Sequence, residues 1–360
     1  MAEALLKRAR ITGLATVVGS ERKRLDDEVA QFGGDRAQIE RLKKSIGLNE
    51  RWVVPASVTA VDMGEQAARQ LLADAAVAPT QVDALIFVTQ TPDHFQPCNA
   101  AILHGHLGLP TTTAAFDVNL GCSGFVYGLY LASLMVENGG CQRVLLVAGD
   151  TLSHTVNARD RSVAPLFGDA AAAALVEAIP AGEADSPSWF SLQADGRGSD
   201  TIKQPAGAFR EPVTSAALEE HADAEGNVRT RANLRMMGAD VFTFTLREVP
   251  PAVEALLQRA QLQPTQVDAY LFHQANRYVI SNIARRLRLP LDRVPMDMVE
   301  HYGNQSSASI PATACAVLGP RLQAGSMRLV LAGFGVGLSW ATACVAWGPL
   351  RACSLNHFAK

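Results

Sequence analysis

Cysteine is scarce in this chain. Six occur in 360 residues, at positions 98, 122, 141, 315, 344 and 353, with no CxxC spacing. That excludes a disulfide scaffold and predicts free thiols in a reducing cytoplasm. An excess of positive charge is also missing: 32 Lys and Arg against 35 Asp and Glu leave a net charge of −3, which argues against nucleic acid or an anionic membrane surface as a partner. Charged residues of all kinds are few, 19% against 48% hydrophobic, so the chain is globular with ample material for a large core. The amino terminus, MAEALLKRAR, has no apolar segment of the kind a signal peptide needs. The stretch that needs care as a possible bilayer span is Leu329–Leu350, 22 residues without a charge. Glycines at 333, 335, 337 and 348 and Pro349 break it into LVLAG and LSWATACVAW, which read as two buried strands joined by a glycine turn.

What the chain does contain is an internal repeat. PTQVDA at Pro79–Ala84 recurs at Pro264–Ala269, an offset of 185 residues. The same offset lays AARQLLADAAVA (67–78) over AVEALLQRAQLQ (252–263), NLGCSGF (119–125) over NQSSASI (304–310) and RVLLVAG (143–149) over RLVLAGF (328–334). The chain is a diverged tandem duplication. In each half, helical spacing at 63–75 and 251–260 precedes short apolar runs at 84–89 and 269–272. A second helical stretch follows at 123–137 and 307–318, then a strand-length apolar run at 144–148 and 329–332. Fully apolar strands alternating with helices predict an α/β protein whose sheets are covered on both faces. The helices 123–137 and 307–318 are expected to be buried between two related halves, residues 1–180 and 236–360. The polar segment 181–235 reads as a connection, an insertion or lid.

Three residues could carry chemistry. Cys122 lies between a strand end at Phe116–Val118 and a helix opening near Ser123. There the positive end of the helix dipole and free N–H groups favour a thiolate and can bind an oxyanion. A buried structural cysteine is the alternative, and it suits the other five. His273 follows the apolar run Tyr270–Phe272, at a strand's carboxyl end, where α/β folds build sites; its repeat partner is the aliphatic Val88, and a satisfied core histidine is the alternative. Asn304 occupies the junction before the second buried helix, but Asn119 holds the same place in the first half, so helix capping alone would explain both. The case rests on convergence, because packing around a pseudo-twofold axis brings Cys122, Asn304 and His273 together. His94, His104 and His106 lack a third ligand at metal-binding spacing, so no metal site is expected. GFGVG (333–337) has neither the following helix nor the lysine of a phosphate loop.

Taken together, DVNLGCSGF around Cys122, FGDAAAAA from Phe167, FHQAN around His273, HYGNQSSAS around Asn304 and GFGVGLSW near the end resemble the β-ketoacyl-acyl-carrier-protein synthase III family of the thiolase superfamily. The resemblance covers nearly the whole chain. It implies the thiolase fold, a duplicated five-layer α-β-α-β-α sandwich with pseudo-twofold symmetry, in a cytoplasmic homodimer. It implies that Cys122 accepts an acyl group from a thioester, and that His273 and Asn304 form the site where a malonyl thioester is decarboxylated and condensed. The backbone N–H groups of Cys122 and Val336 would form the oxyanion hole. No cofactor is implied; the substrates are acyl-coenzyme A or acyl-carrier protein and malonyl-carrier protein, in the synthesis of fatty acids or related lipids and polyketides. Arg277, Arg285 and Arg286 match the region that meets the acidic carrier protein, with a plain solvated face as the alternative. The segment near Phe95 and Gln96 matches the part that shapes the acyl pocket of the partner subunit.

Departures from the family pattern are informative. Arg41 and Ser45 stand where better-known members have a Trp and an Arg that hold the coenzyme A adenine. Ala170, Ala172 and Val336 stand where glycine is usual. A non-decarboxylating acyltransferase, or a specialised-metabolite synthase of the same fold, is the alternative within the superfamily. A catalytically silent partner subunit is an alternative of another class, and Cys122, His273 and Asn304 argue against it.

Overall fold

The apolar runs become strands buried on both faces, and they assemble into two sheets. In the computed structural model, which describes residues 2–32 and 34–359, the first sheet has six strands. Their order is Ala352–His357, Ala9–Val18, Ala170–Ala178, Arg143–Asp150, Ala84–Val88 and Ala114–Val118. The second sheet has five, ordered Ala2–Leu6, Ser188–Ala194, Ser339–Trp347, Met327–Gly335 and Ala269–Phe272. The repeat is visible in the pairing: Ala84–Val88 lies parallel to Arg143–Asp150 as Ala269–Phe272 lies parallel to Met327–Gly335.

Three helical layers cover and separate the sheets. Between them, the helix Gly124–Glu137 and the short helix Ser309–Thr313 share one core with Val88 and Leu146 of the first sheet and Leu331 and Ala343 of the second. Ala60–Asp74 and Asn99–Leu107 cover the outer face of the first sheet. Gly238–Arg259 and Arg277–Arg286 cover the outer face of the second. This is the expected α-β-α-β-α sandwich. Small residues set the layer spacing. A Cβ on Gly128 would lie 2.7 Å from Leu146 Cδ1, and Ala170–Ala178 opens with five fully buried alanines, kept in a strand for their size despite weak β-propensity.

The structure departs from the sequence-based expectation in three places. First, the halves exchange edge strands: Ala2–Leu6 pairs with Ser188–Ala194 in the second sheet, and Ala352–His357 pairs with Ala9–Val18 in the first. The sheets therefore do not divide at 180 and 236, and residues 188–194 of the segment expected to be a connection form an interior strand. Second, the helix expected from Pro251 begins at Gly238 and runs through Pro250 and Pro251. Burial of Phe244, Val249 and Val253 against the sheet outweighs the backbone hydrogen bonds the prolines remove. Third, the helix expected over 307–318 is a 3-10 turn at Ser306–Ala308, an α-helical turn at Ser309–Thr313 and a π-helical turn at Ala314–Leu318. The uncharged run near the end forms two antiparallel strands, Met327–Gly335 and Ser339–Trp347. No helix among the described residues is long and apolar enough to cross a membrane.

Candidate active site

The starts of the two central helical elements meet under the last residues of the strand Met327–Gly335. Cys122 immediately precedes Ser123, the cap of Gly124–Glu137. Ser306, opening the second element, brings its Oγ to 4.0 Å from Cys122 Sγ. The strand passes directly over them. A Cβ on Gly333 would sit 2.7 Å from the Cys122 carbonyl oxygen, and one on Gly335 would sit 2.8 Å from Cys122 Sγ. No side chain fits there, so GFGVG supplies close backbone approach to the thiol as well as a turn.

Electrostatics at Cys122 are contested. The Ser306 hydroxyl and the backbone N–H groups of Cys122 and Val336 favour the thiolate, as donors of an oxyanion hole would. Burial opposes them and prevails: together with the Asp150 carboxylate it pushes the Cys122 thiol up to about 12. The helix start favours a thiolate, as the sequence indicates, but desolvation outweighs the hydrogen bonds that favour it and shifts the balance toward the thiol. Asp150, which the motif analysis missed, ends the strand Arg143–Asp150 and is buried. It accepts hydrogen bonds from Gln90 N at 2.7 Å, Ser307 N at 3.2 Å and Ser307 Oγ at 2.7 Å, tying the second helical start to the first sheet. Nothing in its local sequence, AGDTLS, distinguishes it from a turn residue.

His273 directly follows Ala269–Phe272 and is 2% exposed. Its backbone N–H donates to Ala332 O at 2.8 Å, continuing the parallel ladder, and Nδ1 lies 2.8 Å from Ser309 Oγ. Phe334 meets the ring edge-on, with centroids 5.5 Å apart. Burial lowers the imidazole pKa to about 3, against a hydrogen bond to the Ser306 backbone, so the ring is neutral at physiological pH. Asn304 is held at both backbone ends: its N–H donates to Leu166 O at 2.8 Å and its carbonyl accepts from Gly168 N at 3.1 Å. Its Oδ1 accepts from Ser306 N at 2.9 Å. The capping alternative is therefore true of the oxygen, and it leaves the amide NH₂ as the group free to donate. The loop that grips Asn304 is itself anchored by buried Asp169, which accepts from Val54 N at 2.9 Å and Ser153 Oγ at 2.5 Å.

Cys122, His273, Asn304 and Val336 line one cavity of about 480 Å³. Its other walls include the apolar Leu152, Phe167, Leu234 and Phe242 and the polar Gln90, Thr155, Gln204 and Thr245. The remaining expected residues lie outside it. Arg277 pairs with Glu300 at 3.4 Å and packs on Gly47. Arg285 and Arg286 are exposed at the end of the same helix. Phe95 is 66% exposed and rests against Phe209, 88% exposed, with centroids 5.7 Å apart; with Gln96 it lines a separate surface hollow. Arg41 pairs with Asp35, and Ser45 Oγ donates to Leu42 O. His104 bonds Pro110 O and His106 bonds Glu65.

Comparison with known proteins bears on this geometry. Residues 116–196 match the model of the family described as 3-oxoacyl-[acyl-carrier-protein (ACP)] synthase III, and residues 257–347 match the model of its C-terminal part. A putative 3-oxoacyl-[acyl-carrier-protein] synthase 3 of Campylobacter jejuni is 34% identical over 354 residues, covering 98% of each chain. A β-ketoacyl-[acyl-carrier-protein] synthase III of Caldanaerobacter subterraneus is 36% identical over 84% of this chain and 87% of its own. The crystal structure of a 3-oxoacyl-(acyl-carrier protein) synthase from Burkholderia xenovorans superposes with a TM-score of 0.92 at 37% identity, covering 99% of both chains.

Proposed function

This chain belongs to the 3-oxoacyl-[acyl-carrier-protein] synthase III family and is a condensing acyltransferase, and we propose that Cys122 carries the acyl group while His273 and Asn304 direct a decarboxylative condensation. In the first step Cys122 Sγ attacks the thioester carbonyl. A sulfur–carbon bond forms, the bond to the donor's sulfur breaks, and the thiol proton ends on the departing thiol. The negative oxygen that develops in between is met by the backbone N–H groups of Cys122 and Val336. In the second step a malonyl thioester loses carbon dioxide. The enolate left behind needs donors that are not themselves charged acids; the neutral His273 ring and the Asn304 amide meet that need. Its carbon attacks the acyl carbonyl, and Cys122 leaves as the thiolate, which takes up from solvent the one proton the condensation consumes.

The observation that carries this reading is that Asn304, with its Oδ1 held by Ser306 N, lines the same cavity as Cys122 and neutral His273, which supports its amide as a donor there. The pairing of a covalent carrier with two neutral donors suits acyl loading followed by enolate formation. Acidic carrier protein is the proposed source of the malonyl unit, and the exposed Arg285 and Arg286 fit its charge. The chain is proposed to act as a cytoplasmic homodimer. The edge strand Ala114–Val118 has no second strand partner among the described residues, and the exposed Phe95–Phe209 pair offers an apolar contact to a second copy, whose acyl pocket Phe95 and Gln96 would help close.

The reading is tested by incubating the protein with acyl-carrier protein or acyl-coenzyme A and digesting it for mass spectrometry. An acyl adduct on the Cys122 peptide, absent in Cys122→Ala, is expected. An adduct at another cysteine, or none with either donor, overturns it.

A further inference from the structure

Among the polar side chains that line the cavity, one that neither the oxyanion hole nor the decarboxylation site uses lies against the residue before Cys122, the carboxamide of Gln90. Its place is specific. The Gln90 backbone N–H is fixed to the Asp150 carboxylate at 2.7 Å. Its side chain lies across Gly121, the residue before the nucleophile: a Cβ built on Gly121 would fall 1.8 Å from Gln90 Oε1 and 3.2 Å from Val336 Cγ1. Gly121 does not have a positive φ. Space for the amide, and not backbone conformation, is what glycine provides there. The amide and the Val336 side chain thus both lie against the residue before the nucleophile.

No described residue forms a hydrogen bond to this amide, although the backbone N–H of the same residue is held by Asp150. The nearby walls that an acyl chain would touch, Leu152, Phe167 and Leu234, are apolar. A plain alkyl chain entering this cavity would strip water from the amide and return nothing for it. A hydroxyl or oxo group a few atoms from the thioester would satisfy it. Sites that hold a polar group for a substrate's polar group reject the analogue lacking it more strongly than apolar sites discriminate by size.

Resting on the proposed acyl loading of Cys122, we propose that Gln90 is a specificity residue that selects acyl groups bearing a hydroxyl or oxo substituent at carbon 3. The chemistry is the same transfer to Cys122 Sγ as before, with the substituent hydrogen-bonded to the Gln90 amide throughout.

The test compares two thioesters of N-acetylcysteamine, 3-hydroxyhexanoyl and hexanoyl, by the rate at which each acylates Cys122, read by intact mass. In the native protein kcat/KM for the hydroxyacyl thioester is expected to exceed that for the alkyl one by about 10-fold or more. Gln90→Met, which keeps the length and removes the polar atoms, is expected to cut that ratio at least 5-fold. Gly121→Ala, which displaces the amide, is expected to lower the ratio in the same direction. Because the ratio is taken within one preparation, a partly folded variant does not disturb it. Equal rates for the two thioesters in the native protein, or an unchanged ratio in Gln90→Met, overturn the proposal while leaving acyl loading intact. Failure of both thioesters and of every carrier-borne donor to label Cys122 overturns the loading reading itself, and this one with it.

Discussion

At Cys122 the free protein holds a thiol raised to about 12 from an ordinary 9.0, by burial first and by the Asp150 charge second. An ordinary thiol would be mostly ionised between those two values, whereas this one stays protonated through the interval. Alkylation of Cys122 by iodoacetamide in the free protein is therefore expected to be slow near neutrality and to keep rising beyond pH 9. A rate that levels off at or below pH 9 would show that the helix terminus outweighs burial after all. On the proposed mechanism reactivity then depends on the substrate: the N–H donors of Cys122 and Val336 would stabilise negative charge as the carbonyl is attacked, and need no standing thiolate. Asn304 tests the division of labour. Asn304→Ala removes the amide donor and the bond to Ser306 N, and is expected to retain acylation of Cys122 while slowing malonyl decarboxylation by about 100-fold or more. Loss of acylation with decarboxylation intact would reverse the roles assigned here.

Among the elements, the buried helix Gly124–Glu137 sets how close the two sheets come. Gly128 faces Leu146 Cδ1 at 2.7 Å and Val88 Cγ2 at 2.8 Å from its would-be Cβ, while Gly105, within the outer helix Asn99–Leu107, faces open space. Gly128→Val is expected to cost at least about 2 kcal/mol through overpacking. Gly105→Ala is expected to gain up to about 1 kcal/mol from helix propensity. Thermal unfolding of the two variants reads the contrast directly; equal midpoints would contradict the packing account. The same comparison shows what was legible in the sequence. The apolar helix at 123–137, the strand-length runs and the 185-residue repeat follow from local pattern, and local pattern places Cys122, His273 and Asn304 at element ends. Asp150, Ser306, Ser309 and Gln90 escape it, since each acts through a partner at least 36 residues away or across the pseudo-twofold. The continuation of Gly238–Arg259 through two prolines escapes it too, because tertiary burial overrides the local signal there.

At the scale of the molecule, the exchange of Ala2–Leu6 and Ala352–His357 between sheets makes each half incomplete without the other chain end. The shared core between the sheets joins them further. Urea unfolding followed by far-ultraviolet circular dichroism and by tryptophan fluorescence is expected to give one coincident transition. Trp52 reports on the first half and Trp340 and Trp347 on the second sheet. Two separated transitions would mean that the halves fold as independent units despite their exchanged strands. Under the proposed roles this weave also serves chemistry, since Cys122 comes from one half and His273 and Asn304 from the other, and the common core holds the halves together.

The central claim is that this one cavity performs both steps in sequence. It is tested most directly by isolating the protein acylated on Cys122, mixing it in a single turnover with malonyl-carrier protein labelled in the free carboxylate, and counting carbon dioxide against product. One labelled carbon dioxide released for each 3-oxoacyl product formed, with Cys122 returned to the free thiol, is the predicted result. Transfer of the acyl group without carbon dioxide release, or release with the Cys122 acyl group still in place, would contradict it.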